Sequence, residues 1–333
     1  MENVSTELLI LLFAASSFII WICGIQLSKV TDYIDKKYNL GDAFGGMIIL
    51  SFVTNLPEIA IIISGALRND LSLAIGNILG GIAIQTVVLV LLDFYCRKKK
   101  HPLTTLASSS ATKLEAVLVI IILSITILGA NLKSGFMLLH ISVPELLIAV
   151  CWILGLWIIN NANVQRTKNE SVFVKHEKYT PAKAFTWLIV TAVATLICGV
   201  LLEESSGIIA QRFQIDGVIF GATILALITS LPEISTGIAS IKLKDYQLAL
   251  GDIFGGNAFL PVLFLLASVV SGQNVIAHCT NSDVYLTAVG ILLTTIYLAG
   301  LIIKSPKRFL GLGYDSLLVL VVYILSILGL MLV

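Results

Sequence analysis

The sequence predicts an all-α polytopic membrane protein, ten transmembrane helices arranged as two inverted five-helix repeats, and three observations carry that prediction. Of 333 residues, 57% are hydrophobic and only 12% charged, whereas a soluble globular chain carries about 25% charged residues. The apolar residues gather into runs of the roughly 20 that a spanning helix needs. Such runs are too long and continuous for the alternating strands of about 10 residues that build a membrane barrel. Finally, one motif occurs twice, 175 residues apart.

The ten runs fall at 8–28, 43–66, 71–95, 114–131, 138–160, 184–202, 217–241, 246–271, 283–303 and 312–333. The first is preceded by Glu2 and Glu7 but by no Lys or Arg, the wrong flank for a cleaved leader, and is expected to remain as a membrane helix. Between the fifth and sixth runs lies the longest polar stretch, 163–183, which divides the chain five and five. The expected organisation is a first five-helix repeat over 1–162, a cytoplasmic linker over 163–183 too short for a soluble regulatory domain, and a second repeat over 184–333.

Loops rich in Lys and Arg stay on the cytoplasmic side. Connections after runs 1, 3, 5, 7 and 9 hold 18 of the 21 basic residues, Arg97, Lys98, Lys99 and Lys100 among them. Connections after the even runs hold only Arg68, Lys133 and Arg212, so both termini are expected outside the cytoplasm. A plasma-membrane location is expected, with the lipid bilayer as a partner and no obligatory protein partner. The charges nearly balance and no basic block is interleaved with aromatics, so nucleic acid is not expected to bind. The five cysteines show no CxxC pairing, which argues against a disulfide framework or a zinc site.

TNLPEI at 54–59 matches TSLPEI at 229–234, LAIGNILGG at 73–81 matches LALGDIFGG at 248–256, and Cys23–Gly24 matches Cys198–Gly199. Over 54–83 the ungapped comparison gives 14 identities in 30 positions. Shared hydrophobicity does not produce a matched Pro-Glu pair and three matched glycines. With an odd number of spans per repeat the second copy enters the membrane from the opposite side, a transporter device that places the shared site near the midplane.

Within these repeats the candidate cation-binding residues are the intramembrane Glu58 and Glu233. An ionisable group at such a depth costs at least ~2.5 kcal/mol and is a functional candidate by default. A structural salt bridge is the alternative, but no Lys or Arg falls mid-span. Ser51, Thr54, Asn55 and Glu58 share one helical face, and Thr229, Ser230 and Glu233 repeat it. These Ser and Thr hydroxyls can equally bond back to their own helix. Pro57 and Pro232 lack the N–H that would occupy the carbonyls of Val53 and Ile228, so backbone oxygens nearby are freed. Carboxylates, carbonyls and hydroxyls together suit a hard cation such as Ca²⁺ or Na⁺. Asn77 and Asp252 occupy equivalent positions, and Asp252 is either a third cation ligand or a polar anchor. Gly76 with Gly80, and Gly251 with Gly255, have the spacing that lets helices approach closely. Glu203 and Glu204 are expected as a solvated cap at the outer end of the sixth span.

These residues resemble the cation/calcium antiporter superfamily, especially its sodium/calcium exchanger branch. Its two alpha repeats read roughly G-T-S-L-P-E followed by G-N-x-x-G-S-N-x-x-N or D, here matched at about 40–90 and 215–265. The resemblance implies a calcium site built from Glu58, Glu233 and the carbonyls of Thr54 and Thr229. It also implies departures: the family's sodium-coordinating serines are Gly81 and Gly256, its asparagine in the first repeat is Gln85, and its acidic position in the second is Leu260. The family's other asparagine survives as Asn257, with Ile82 opposite. Sodium coupling is thereby called into question, and two carboxylates that repel each other in an apolar cavity open a route for competing protons.

The expected function is secondary antiport of Ca²⁺ against Na⁺ or H⁺ by alternating access, with inorganic cations as cargo and no cofactor. One Ca²⁺ neutralises two ionised glutamates, as do two monovalent ions. Participation of Asp252 would raise the monovalent load to three and make exchange electrogenic. The alternative is a membrane homologue that retains the fold with altered specificity or without transport. No nucleophile and base pair or HExxH motif appears in the spans, so an enzyme is not expected.

Overall fold

The computed structural model describes residues 4–38, 51–132, 137–138, 141–164, 180–242, 244–330 and 332. Eight helices among these are long and apolar enough to cross a membrane. Helix α1 (Thr6–Tyr38) continues ten residues past the end of its apolar run. The start of the second expected span lies outside the described residues. Its remainder is two pieces, α2 (Ser51–Thr54) and α3 (Leu56–Arg68), divided at Asn55 because Pro57 in the first turn of α3 cannot continue the ladder. Helix α4 (Leu71–Tyr95) has the expected bounds. A short α5 (Leu103–Leu106) precedes α6 (Ser110–Asn131), which opens on a Ser109–Thr112 capping box.

The fifth span starts later than expected. Met137–Leu138 and Ile141–Ser142 pair as a small antiparallel hairpin, β1 and β2, and α7 (Val143–Val164) follows with Pro144 in its first turn. The expected linker lies mostly outside the described residues; α8 (Pro181–Arg212) already begins within it, capped by Thr180. The seventh expected span is segmented into α9 (Gly217–Phe220), a π turn over Gly221–Leu225, α10 (Ala226–Thr229) and α11 (Leu231–Lys242), the last break falling at Ser230 beside Pro232. The eighth comprises α12 (Tyr246–Phe259), a 3₁₀ turn and α13 (Leu263–Ser271). Helix α14 (Asn281–Ile303) follows, then a second hairpin, β3 (Arg308–Phe309) with β4 (Leu312–Gly313), and α15 (Tyr314–Leu330), which at 17 residues is shorter than the tenth expected span. The two hairpins are a small correction to the all-α expectation.

Helix α4 is the buried pillar, packed by α3, α9, the π turn, α12, α14 and α15. Glycine sets its closest approach: a Cβ on Gly76 would stand 2.7 Å from Val218 Cα, and one on Gly80 would overlap Ala222. The expected close-packing role of these two glycines is therefore seen directly. Helices α1 and α8 lie along each other, and the paired Cys-Gly positions have a role there. Gly24 of α1 packs on Pro232, where a Cβ would stand 2.6 Å from the ring, while Gly199 of α8 packs on Ala60 and Pro57. Each glycine admits the proline turn of the opposite half. Outward-facing Leu, Ile and Trp side chains of α1, α7, α8 and α15 remain exposed, the surface a bilayer would cover. All five cysteines are free.

Candidate functional site

The two helix breaks meet beside α4. Glu58 and Glu233 each lie in the first turn beyond a break, α3 and α11 respectively, where the helix N-terminus presents its positive end. Both are buried completely or nearly so, at 0% and 1% exposure. Between them stands Gln85 of α4, whose Nε2 donates to Glu58 Oε1 at 3.5 Å and to Glu233 Oε1 at 3.3 Å. The second oxygens, Glu58 Oε2 and Glu233 Oε2, are buried without a hydrogen-bond partner among the described residues. No basic side chain pairs with either glutamate among the described residues.

The threonines cross between the halves. The Thr229 hydroxyl faces Glu58, and the Thr54 hydroxyl faces Glu233 and Asp252. Thr229 also donates to Ala226 O at 3.3 Å and to Asn77 Oδ1 at 3.5 Å, which ties Asn77 to the rim of the site. Ser230 donates its hydroxyl back to Ala226 O at 2.7 Å, so its proton serves its own helix. Asn55 sits at the first break, with its Nδ2 beside Gly256. The side chain of Ser51 lies outside the described residues.

Asp252 approaches from α12. Its Oδ2 accepts a short hydrogen bond from Thr236. Among the described residues no three His, Cys, Asp or Glu side chains converge on one point. The site is thus a glutamate pair with oxygen-bearing neighbours and a third carboxylate nearby, not an acidic triad. Thr236 was not anticipated from the sequence, although it continues the polar stripe one turn beyond Glu233.

Two of the departures named above, Gly81 and Leu260, meet each other and are apolar in fact. Gly81 faces Leu260, whose methyl carbon would lie 3.9 Å from a Cβ there, and Leu260 is fully buried. Asn257 instead binds α4, donating to Thr86 Oγ1 at 3.0 Å and Ile82 O at 3.4 Å.

One acidic position departs from the sequence reading, and a second was not singled out by it. Glu203 is buried rather than a solvated cap: Ser64 donates to its Oε2 at 2.7 Å and Arg68 Nε stands 3.6 Å away, while Glu204 pairs with the same guanidinium. Helix α8 runs on past residue 202 and carries both glutamates onto α3. Glu115, at the start of the fourth expected span, is buried against Gly251 of α12; a carboxylate inside an apolar run was the signal available for it.

Comparison with known proteins bears on this arrangement. A family model described as sodium/calcium exchanger protein matches the chain twice, at residues 8–160 and 183–332. The chain is 26% identical over 236 residues to the inner membrane protein YrbG of Escherichia coli K12, covering 68% of this chain and 70% of that one. It is 23% identical over 267 residues to the putative antiporter CaxA of Alkalimonas amylolytica, covering 76% and 77%. A solved structure of the sodium-calcium exchanger NCX_Mj superposes with a TM-score of 0.65 at 17% identity, covering 98% of this chain and 99% of the other, and shares its fold.

Proposed function

This chain belongs to the sodium/calcium exchanger family of membrane cation antiporters, and from that premise we propose that it exchanges Ca²⁺ for Na⁺ or H⁺ by alternating access at a site formed by Glu58 and Glu233. The observation that carries the reading is the meeting of two buried, unneutralised glutamates from separate halves, with each half's threonine turned to the other half's glutamate. Two carboxylates balance one divalent cation, and the freed carbonyls near Thr54 and Thr229, with their hydroxyls, supply further hard oxygen ligands.

Ten spans in two inverted five-helix repeats, over 1–162 and 184–333, provide the moving parts in this reading. Its support is the crosswise contact of Gly24 with Pro232 and of Gly199 with Pro57, together with one family-model match in each half. Rocking of one set of helices against the other would expose the glutamate pair to each side in turn. Both termini lie outside the cytoplasm and the membrane is the plasma membrane, a reading supported by the one-sided distribution of basic residues.

Of the two counter-ions, the apolar contact of Gly81 with Leu260 favours the proton, because a sodium ion needs a shell of oxygens and a proton needs one carboxylate. That same contact is the observation behind the alternative, a homologue that keeps the fold without transport. Radioactive calcium uptake into proteoliposomes, driven by an imposed proton or sodium gradient, separates these readings. Uptake driven by the proton gradient is expected; uptake driven by sodium alone would reassign the counter-ion, and no uptake of any divalent ion would select the non-transporting alternative.

A further inference from the structure

We propose that the Gln85 carboxamide is the counter-group of the cation-free site: its nitrogen stands in for a cation between Glu58 and Glu233, and the carboxamide turns over when a cation enters. The proposal rests on the glutamate pair being the cation site, as read above, and assigns the residue that holds that pair together when it is empty.

Gln85 is fully buried on α4. Its Nε2 carries two hydrogens and no acceptor capacity, and it directs them at one carboxylate from each half, Glu58 at 3.5 Å and Glu233 at 3.3 Å. With Oε1 in that place, three acceptors would face one another with no proton between them. Oε1 takes the other side, where it is buried and has no hydrogen-bond partner among the described residues. It lies 3.4 Å from the point where a Cβ on Gly256 would stand, and Asn55 Nδ2 lies 2.9 Å from that same point, so the missing Cβ lets both amides sit against the glycine.

The amide nitrogen occupies Glu58 Oε1 and Glu233 Oε1, and a cation that binds these two oxygens displaces it. The terminal torsion of glutamine is broad and nearly two-fold, and a half-turn about it exchanges the two ends of the carboxamide. Oε1 then joins the glutamates as a third oxygen, and Nε2 moves to the Gly256 side. A buried acceptor without a partner is a cost, and Oε1 carries it while Nε2 faces the glutamates. Gln85 thus holds the glutamates at a common centre without metal and becomes a ligand when the metal arrives, which makes it a residue that sets selectivity as well as position.

Infrared difference spectra, calcium-bound minus calcium-free, on the full chain with ¹³C at the glutamine side-chain carbonyl test this directly. The Gln85 band is identified by its loss in Gln85→Leu, or by its displacement in Gln85→Asn if the leucine variant does not fold. The expected result is a shift of that band to lower frequency on adding Ca²⁺, because coordination weakens the C=O bond, alongside changes in the carboxylate bands lost in Glu58→Gln and Glu233→Gln. Carboxylate bands that respond to Ca²⁺ while the Gln85 band stays fixed would overturn the proposal and leave the glutamate site standing. Carboxylate bands that ignore Ca²⁺ would overturn both.

Discussion

The two copies of the motif share a backbone but not their polar equipment. After α3 the chain turns through Asn69 at φ 57°, with Asp70 N donating to Gly65 O at 3.0 Å; after α11 it turns through Lys244 at φ 65°, with Asp245 N donating to Ser240 O at 2.9 Å. Both turns lead into helices whose paired glycines occupy equivalent positions. Yet where the first copy has Asn77 and Ile61, the second has Asp252 and Thr236, joined by a short hydrogen bond. Where the first has Gln85, the second has Leu260. One half thus brings a carboxamide to the site and the other a carboxylate. A duplicated scaffold can hold an asymmetric centre, because the backbone turn depends on a few positions while the facing side chains are free to differ.

This comparison can be broken or sharpened by substitution. The largest effect is expected where the copies agree. Glu58→Gln and Glu233→Gln each remove a buried charge shared between the halves, and calcium affinity measured by calorimetry should fall by about 2 kcal/mol or more, about 30-fold. Next come the equivalent glycines: Gly76→Ala drives a methyl into the Val218 backbone and should destabilise the protein by about 1–3 kcal/mol. Gly251→Ala meets only the Glu115 carboxylate, 3.4 Å away, and should cost about 0.5 kcal/mol or less by thermal unfolding in detergent. Equal losses from the two would show that the packing environments are alike after all.

Thr236→Val removes the donor that the second copy alone possesses. A net hydrogen bond is worth about 1 kcal/mol, so a change of about five-fold in calcium affinity is expected, and none from Ile61→Val at the equivalent position in the first copy. The smallest effect belongs to the Arg68 end of α3. Arg68→Met leaves the buried Glu203 with Ser64 as its remaining partner, and a loss of about 1 kcal/mol in unfolding free energy is expected with transport retained.

Much of this is legible in the sequence. Span 71–95 coincides with α4 because a long, mostly apolar run lies between Asp70 and the basic block that starts at Arg97. The breaks at Asn55 and Ser230 follow from Pro57 and Pro232, and the glutamate pair follows from the rarity of charge in lipid. Helix ends were less legible: α1 and α8 run beyond their apolar stretches because polar residues such as Lys29 and Glu204 are good helix formers outside the bilayer core. Burial of Glu203 depends on Arg68, far away in sequence, and no spacing rule reports such a pair. The matched Cys-Gly dipeptides were visible as a repeat, but their packing on the opposite prolines is a tertiary fact. Gln85 shows the same limit, since its position was evident while the direction of its amide required both glutamates in place.

The central claim is that Glu58 and Glu233 together hold the transported cation. Its most direct test is gradient-driven uptake of radioactive calcium into proteoliposomes containing equal amounts of folded wild-type protein or the Glu58→Gln, Glu233→Gln double variant. The account predicts uptake by the wild type and only background by the double variant; undiminished uptake by the double variant would contradict it.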